Sequence, residues 1–189
     1  MVKDPKHRVA WGITGSGDQI KEILDTMKDN QDKLAVDIRV FVSKSGEQVL
    51  QWYKLLDDLK ENFKRVYIES TPNTPFLAGE LQAGRYDFFI IAPTSSNTTA
   101  KISLGLGDSL ISNAGSMASK AYVTVYVLPC EYGFGTTNTK LPDGRDLNLR
   151  IRKEDTAHIE RLEKMDDIHV IKAPNEISEI FRSHYSQVH

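Results

Sequence analysis

Short apolar runs alternate with longer amphipathic stretches along most of the chain, and this alternation constrains the fold more than any other feature. The predicted strands are residues 8–13, 36–42, 66–68, 87–92, 123–128 and 168–171. The predicted helices are 18–30, 47–63, one that starts near 98, 109–119, 153–165 and 174–186. Strands that alternate with helices are typical of a parallel sheet covered by helices on both faces. The sequence therefore predicts a doubly wound, mostly parallel α/β sheet of about six strands.

The length of 189 residues suits a single domain, 1–189, with a core at about 8–130. A helix, a strand and a second helix are expected to complete it over 150–189. Between these parts, residues 130–148 contain several glycines and a proline and have no clear periodicity. This segment is predicted to be a long loop, and a loop of that length in a compact domain is usually a lid or a binding element.

Composition excludes several classes of protein. A net charge of −2 gives no global reason to expect a nucleic acid or an anionic membrane as a partner. The single cysteine, Cys130, excludes an intramolecular disulfide and an iron–sulfur cluster held by several thiolates of this chain. The start, Met1–Pro5, is too polar for a signal peptide, and His158 and His169 lack metal-ligand spacing. A cytoplasmic, soluble protein without a metal is expected.

A glycine-rich loop follows the first predicted strand. It reads Gly-Ile-Thr-Gly-Ser-Gly and ends in Gly15, Ser16 and Gly17. Such a loop lets the backbone approach a ligand closely and presents free N–H groups at a helix start, which favours an anion. Alternatively, the segment is a tight turn in which Ser16 or Asp18 caps the next helix.

The loop after the second strand discriminates between nucleotides. A site for NAD would place an acidic residue here to hold a ribose hydroxyl. The chain instead has Ser43, Lys44 and Ser45, two hydroxyls and a cation, which suit a phosphate monoester. A mononucleotide is therefore favoured over NAD, although a capped helix start with a solvated lysine would explain the same residues.

The third loop, after the fourth strand, is the most specific. Its polar side chains are more than one helix cap requires, and they belong to Thr94, Ser95, Ser96, Asn97 and Thr98, with Lys101 one turn later. Groups of this kind suit a flat ring with carbonyl and imide edges. Reduction of a flavin places negative charge near its N1 and C2 carbonyl, which a helix N-terminus and Lys101 would stabilise. The three loops together favour FMN.

The same residues carry a family resemblance. The run Ala92–Ile102 followed by Gly105–Leu110 resembles the A-P-x-S-A-N-T-x-A-K-I-A…G-x-x-D-N-L signature of the flavoprotein superfamily. That superfamily includes phosphopantothenoylcysteine decarboxylase, lantibiotic cysteine decarboxylases and flavin prenyltransferases. The resemblance spans roughly residues 8–130 and implies a Rossmann-like fold that holds FMN non-covalently. It adds Asp108 to the candidate cofactor-binding residues, unless Asp108 is only a helix cap.

Two departures bear on the subgroup. The cysteine decarboxylases have a histidine after the third strand, whereas this chain has none between His7 and His158. Their P-x-M-N motif is replaced here by the four residues 129–132, Pro-Cys-Glu-Tyr. The whole chain is most similar to archaeoflavoproteins and flavin-dependent dihydromethanopterin reductases. It resembles them in its glycine-rich start, in Pro72–Pro75 and in Leu149–Asp155.

That resemblance implies an enzyme or electron carrier in which FMN takes electrons from a ferredoxin-like donor and passes them to an acceptor such as a dihydropterin. It also implies a homo-oligomer built on trimers. The flavin itself would do the chemistry. Cys130 and Glu131 are weak catalytic candidates, with a buried apolar cysteine and a solvated carboxylate as the alternatives. A prenyltransferase, a decarboxylase and a non-catalytic flavin-storage protein remain the rival functions.

Overall fold

The computed structural model describes residues 7–185, and a parallel sheet forms its centre. The strands are β1 (Arg8–Ile13), β2 (Asp37–Val42), β3 (Arg65–Ile68), β4 (Phe88–Thr94), β5 (Val125–Pro129), β6 (Thr136–Lys140), β7 (Asp146–Arg150) and β8 (Ile168–Val170). Six of them form one sheet in the order β3-β2-β1-β4-β5-β8, with each pair parallel. The predicted fold class is confirmed. Met1–Pro5 and the last residue of the predicted helix 174–186 lie outside the described residues.

The central strand β4 is buried along its whole length, as its continuous apolar run predicted. Successive side chains of a strand point to opposite faces of the sheet. Phe88 accordingly packs in the apolar cluster on one face, and Phe89 packs in the cluster on the other. Trp11 of β1 joins the first cluster, where its indole N–H donates to the carbonyl of Ala92 at 2.7 Å. The sheet therefore has a dry core on each side.

Helices cover both of these faces. They are α1 (Ile20–Leu34), α2 (Lys44–Trp52), α3 (Leu56–Asn62), α4 (Leu77–Gln82), α5 (Ser96–Leu104), α6 (Leu110–Ser119), α7 (Lys153–Leu162) and α8 (Asn175–Tyr185). Buried side chains of α1, α2, α3 and α8 belong to the first cluster, and those of α4, α5, α6 and α7 to the second. None of the helices in the described part of the chain combines the length and apolar character that a bilayer span requires.

The predicted helix at 47–63 is two helices, because the chain turns between α2 and α3. Lys54 has a φ of 56°, in the left-handed region that a right-handed helix does not visit. The amide of Leu55 still donates to the carbonyl of Leu50 at 2.8 Å, which closes the end of α2. Apolar periodicity continued across the break because both helices face the same core, so the pattern did not reveal it.

Pro93 does not end the fourth strand, as the sequence had suggested, but lies within β4. A proline cannot donate to a strand ladder. The pairing of β4 with β5 accordingly shifts its register between Ile91 and Thr94, and Thr94 then pairs with Pro129.

The segment 130–148 is not the loop that was predicted, since most of it belongs to an antiparallel hairpin of β6 and β7. Thr137 pairs with Leu149, and Thr139 pairs with Leu147, so that alternate residues share one face. The turn contains Gly144 with a φ of 86°, a conformation that glycine adopts at little cost. An Asp-Gly pair between alternating side chains is the sequence signal that was missed.

Candidate functional site

Strand order reverses between β1 and β4, and in open α/β sheets ligands bind at the carboxyl ends of the strands beside such a point. The loops that follow these two strands are joined through Thr14. Its buried hydroxyl donates to the carbonyl of Pro93 at 2.9 Å and accepts from the amide of Ser95 at 2.7 Å. The glycine-rich loop and the polar start of α5 are therefore held as one unit.

Serine side chains cap three helices at this edge of the sheet. Ser43 accepts from the amide of Gly46 at 3.0 Å, and Ser95 accepts from that of Thr98 at 3.3 Å. Ser109 forms a reciprocal capping box at the start of α6. The helix cap that was the alternative explanation of the second loop is thus present. The same loop also lines a cavity. Neither Ser16 nor Asp18 caps α1, because its N-cap is Gln19, whose side chain makes no capping hydrogen bond.

A small polar cavity of about 240 Å³ lies between these helix starts. It is lined by Gly15, Ser43, Lys44, Ser45, Glu69, Pro72, Ser95, Asn97, Thr98, Lys101, Asp108 and Ser109. A side chain at Gly15 would bring its Cβ to 2.7 Å from the Cβ of Ser45, so the close approach of the two loops requires glycine. Hydroxyls, lysines and helix N-termini are the groups that bind phosphate.

Lys101 and Asp108, both predicted to bind the cofactor, form an ion pair at 3.0 Å beside this cavity. The hydrogen bond from Lys101 lowers the pKa of the Asp108 carboxyl below its ordinary value. Asp108 does not cap α6, since Ser109 does. An anion in the cavity would therefore compete with Asp108 for the ammonium group of Lys101.

Glu69 is a residue of the site that the sequence analysis missed. Its buried carboxylate accepts from the amide of Lys44 at 3.0 Å and from that of Leu110 at 2.8 Å. These amides open α2 and α6, where the helix dipole favours negative charge. Its position directly after β3 was the available signal, because the ends of β1, β2 and β4 had already been read as site loops.

A second cavity of about 490 Å³ adjoins the first. It is lined by Gly15, Ser16, Gly17, Asp18, Tyr53, Ser95, Ser96, Asn97, Ala100, Cys130, Glu131, Thr137, Thr139, Leu141, Leu147, Leu149, Arg152 and His158. We call it the ring cavity and the smaller one the phosphate cavity. Gly15, Ser95 and Asn97 border both, so a ligand can extend from one to the other. The inner face of the hairpin gives the ring cavity a wall of leucine and threonine side chains.

Eleven of the twelve predicted cofactor-binding residues border one or both cavities, and Thr94 does not. Thr94 is fully buried, and its hydroxyl donates to the carbonyl of Ile91 at 2.7 Å. That bond holds the Thr94 hydroxyl on the backbone of its own strand, so it is not available to a ligand. Whether the other residues contact a cofactor stays a prediction.

Cys130 and Glu131, the two weak catalytic candidates, both reach the ring cavity. Burial raises the pKa of the Cys130 thiol above its ordinary value, so the thiol stays protonated at neutral pH. Its Sγ lies 3.8 Å from Oγ of Ser96, and that hydroxyl donates to the Glu131 carboxylate at 2.8 Å. A protonated, partly buried thiol is a poor nucleophile, and Glu131 orients Ser96.

The ring cavity also contains a half-buried carboxylate, that of Asp18. Burial raises the pKa of Asp18, and burial together with the Asp18 carboxylate raises the pKa of Tyr53. The Tyr53 hydroxyl donates to the carbonyl of Lys140, which ties α2 to the hairpin. A Cβ on Gly17 would come within 2.4 Å of the Tyr53 ring, so this contact also requires glycine.

The basic segment Arg150–Lys153 runs from the last residue of β7 to the first residue of α7 and contributes Arg152 to the ring cavity. Arg152 binds the buried carboxylate of Asp155 through Nε at 2.7 Å and Nη2 at 2.6 Å. This bidentate bond lowers the pKa of Asp155. His158 follows on the same helix and also borders the cavity. No group of three or more potential metal ligands was found among the described side chains.

A small polar cavity joined to a larger one, at the switch point of a doubly wound sheet, is the arrangement expected of a mononucleotide-binding α/β protein. The chain belongs to the Flavoprotein family, whose model matches residues 1–182. This confirms the superfamily resemblance that the third loop had carried.

Several proteins are similar to this chain in sequence or in structure. It is 41% identical to an uncharacterized protein of Methanocaldococcus jannaschii over 94% of this chain and 95% of that one. A dihydromethanopterin reductase (acceptor) of the same organism is 26% identical over 92% and 95% of the two chains. The crystal structure of Burkholderia xenovorans DmrB with FMN, described as a cubic protein cage for redox transfer, matches with a TM-score of 0.82. It is 28% identical and covers 97% of each chain. These matches agree with the predicted FMN cofactor and with a redox role.

Proposed function

We propose that this protein is an FMN-dependent oxidoreductase that reduces a dihydropterin with electrons from a separate protein donor. The observation that carries the proposal is the pair of joined cavities, one small and polar and the other larger with an apolar wall. FMN is divided in the same way into a phosphate and a flat ring joined by a ribityl chain. The ribityl chain would run past Gly15 and Asn97, which border both cavities.

In this proposal Ser43, Ser45, Thr98 and Lys101 hold the phosphate. Their hydroxyls and ammonium group match an anion with several acceptor oxygens. The main-chain amide of Ser45, at the second position of α2, has no protein acceptor among the described residues and adds another donor. The cavity also contains Glu69, whose two oxygens are already engaged by helix amides. Glu69 therefore shapes the cavity and leaves the hydroxyl and ammonium donors available to the phosphate.

The start of α5 would stabilise the reduced ring. Negative charge near a helix N-terminus is stabilised by about 0.3–1 kcal/mol at an exposed site. The amides of Ser96 and Asn97 have no protein acceptor within the described part of the chain, so they remain available to a carbonyl edge. When bound, FMN supplies the redox chemistry, and the chain positions the ring and sets its electrostatic surroundings.

A dihydropterin acceptor is favoured by the dihydromethanopterin reductase relative and by the charges of the ring cavity. Asp18 and Glu131 both contribute carboxylates to its lining, and a carboxylate accepts well from an aminopyrimidinone edge. The leucines of the hairpin would cover the face of the acceptor. Since Cys130 is the single cysteine of this sequence, these residues do not themselves hold an iron–sulfur cluster, and we take the donor to be a separate protein such as a ferredoxin.

We also propose that the protein assembles into a homo-oligomer built on trimers. DmrB, described as a cage, is the neighbour that supports this. Large apolar side chains lie on the surface of the monomer, with Phe76 exposed by 68%, Phe134 by 77% and Tyr122 by 87%. Light scattering after size-exclusion chromatography should give a mass that is a multiple of three chains, and a monomer would contradict the proposal.

The test of function is anaerobic. The protein is loaded with FMN, photoreduced and mixed with dihydromethanopterin, while the flavin absorbance and the tetrahydropterin are followed. Free reduced FMN with the same acceptor is the control. Rapid reoxidation with one tetrahydropterin per flavin would support the reductase. A reduced flavin that is stable to the pterin and oxidised by ferredoxin would make the protein an electron carrier, and failure to retain FMN would overturn the proposal entirely.

A further inference from the structure

His158 is the one histidine that borders the ring cavity within residues 7–185. It projects from α7, whose side chains pack against α5. Its Nδ1 lies 2.8 Å from the hydroxyl oxygen of Ser103 on that helix. From the sequence, His158 was considered only as a possible metal ligand. Its contact with Ser103 becomes visible in the fold.

The hydrogen bond that Ser103 donates indicates which nitrogen of the His158 imidazole carries a hydrogen. The Ser103 side chain is 2% exposed, and its hydroxyl donates to the carbonyl of Ala100 at 2.8 Å. A hydroxyl has one hydrogen to donate, and here the carbonyl takes it. Both contacts are satisfied together if the oxygen of Ser103 accepts from His158, which places a hydrogen on Nδ1. Nε2 is then the ring nitrogen left to act on a ligand.

No protein group claims that second nitrogen. The described residues provide no hydrogen-bond partner for Nε2, and the nearby acid of the same helix, Asp155, is held by Arg152 through both of its oxygens. His158 thus borders the cavity with its Nδ1 held by Ser103 and with no protein partner for Nε2 among the described residues. A histidine in this position is a candidate general acid.

We propose that Nε2 of His158 delivers the proton that accompanies hydride transfer to the acceptor, an inference that rests on the proposed reductase function. Reduction of a carbon–nitrogen double bond requires a hydride at carbon and a proton at nitrogen. Reduced FMN, when bound, would supply the hydride and be oxidised, and the Nε2–H bond of the His158 imidazolium would break as the N–H bond of the product forms. His158 becomes neutral, keeps its Nδ1 hydrogen on Ser103, and is reprotonated from solvent.

The first test needs neither flavin nor substrate. In the protein labelled with nitrogen-15 histidine, NMR of the neutral ring should show the hydrogen of His158 on Nδ1. Ser103→Ala removes the acceptor and should shift the ring toward the Nε2–H form that predominates in free imidazoles. If wild-type His158 already carries its hydrogen on Nε2, the nitrogen that faces the cavity is not the one proposed, and the role is overturned.

The second test compares two acceptors of the photoreduced holoprotein. Ferricyanide takes single electrons and no proton, whereas the dihydropterin needs one. In His158→Gln the rate of pterin reduction should fall by roughly 10²-fold or more relative to the ferricyanide rate, the usual contribution of a general acid. His169→Gln, in an exposed histidine of β8 outside both cavities, is the matched control and should change neither rate.

Equal slowing with both acceptors in His158→Gln would indicate a disturbed flavin site and would refute the proton-donor role. Unchanged pterin reduction would refute it as well. A wild-type protein that leaves the dihydropterin unreduced would overturn the proposed acceptor and this role together, and the tautomer measurement separates that failure from an error about His158 alone.

Discussion

The hydroxyl of Thr14 and the amide of Ser95 are 81 residues apart in sequence and 2.7 Å apart in space. Through this bond the loop after β1 fixes the start of α5, which borders both cavities. We predict that Thr14→Val, which keeps the shape of the side chain, leaves the buried amide unpaired and lowers the free energy of unfolding by about 1–3 kcal/mol. Urea denaturation measures the loss. Thr14→Ser keeps the hydroxyl and should retain most of the stability; equal losses in both variants would contradict this account.

Ser43→Asp should expel FMN and spare riboflavin. Aspartate caps a helix as well as serine does, so α2 is expected to form normally. The new carboxylate would face the phosphate, and two like charges 4 Å apart repel by about 4 kcal/mol near a protein surface. Titration with both flavins, followed by protein-bound fluorescence, measures the difference. Full occupancy by FMN in this variant would mean that Ser43 does not contact the phosphate.

Asn97→Ala should weaken FMN and riboflavin alike, because Asn97 borders both cavities and its amide serves the part of the ligand that the two flavins share. A loss of one or two hydrogen bonds predicts about a tenfold weaker affinity. Gln48→Ala, an exposed amide on α2 away from both cavities, is the control. If affinity and midpoint potential are the same as in the unsubstituted protein, Asn97 does not contact the flavin.

Glu69→Gln should destabilise the fold. The glutamine oxygen can replace one acceptor, but its NH₂ group would face an amide hydrogen at the start of α2 or α6. An unsatisfied buried donor costs about 1–3 kcal/mol. Thermal unfolding of the apoprotein should show a lower Tm, whereas Glu61→Gln on the exposed surface of α3 should leave it in place. A Tm equal to that of the unsubstituted protein would mean that Glu69 does not couple the two helices.

Alkylation of Cys130 offers a test of its buried position. Because burial raises the pKa of the thiol, the thiolate fraction at any given pH is smaller in the folded protein than in the unfolded chain. The rate of reaction with iodoacetamide should therefore rise with pH along a curve displaced toward higher pH from that of the urea-unfolded protein. Since the chain has a single cysteine, incorporated label reports this site alone. A curve displaced toward lower pH would indicate an activated thiol.

The fold class and the edge of the sheet that carries the cavities could be predicted from the sequence because both depend on local patterns. The apolar run around Phe89 identified a strand buried on both faces, and the serines that follow it identified a polar helix start. In an α/β sheet such loops meet at the carboxyl edge of the strands. Ser43 and Asn97 were predicted in this way and both border the cavities, while their contact with a cofactor stays a prediction.

The rest depends on long-range contacts that a local pattern does not contain. Glu69 is one acidic residue among many until α6 folds back and places its first amide beside that of α2. His158 lies 55 residues from Ser103 and gains its orientation from helix packing alone. Lys54 shows the converse case, since apolar periodicity continued through a backbone conformation that no helix permits.

The hairpin of β6 and β7 forms a two-stranded sheet of its own, apart from the six strands that carry the core. It supplies one wall of the ring cavity and borders none of the phosphate cavity. Under the proposed function, the residues that would meet the acceptor and those that would hold the phosphate therefore belong to separate segments of the chain. Substitutions in the hairpin are then expected to change which acceptor fits, while the phosphate cavity keeps its lining.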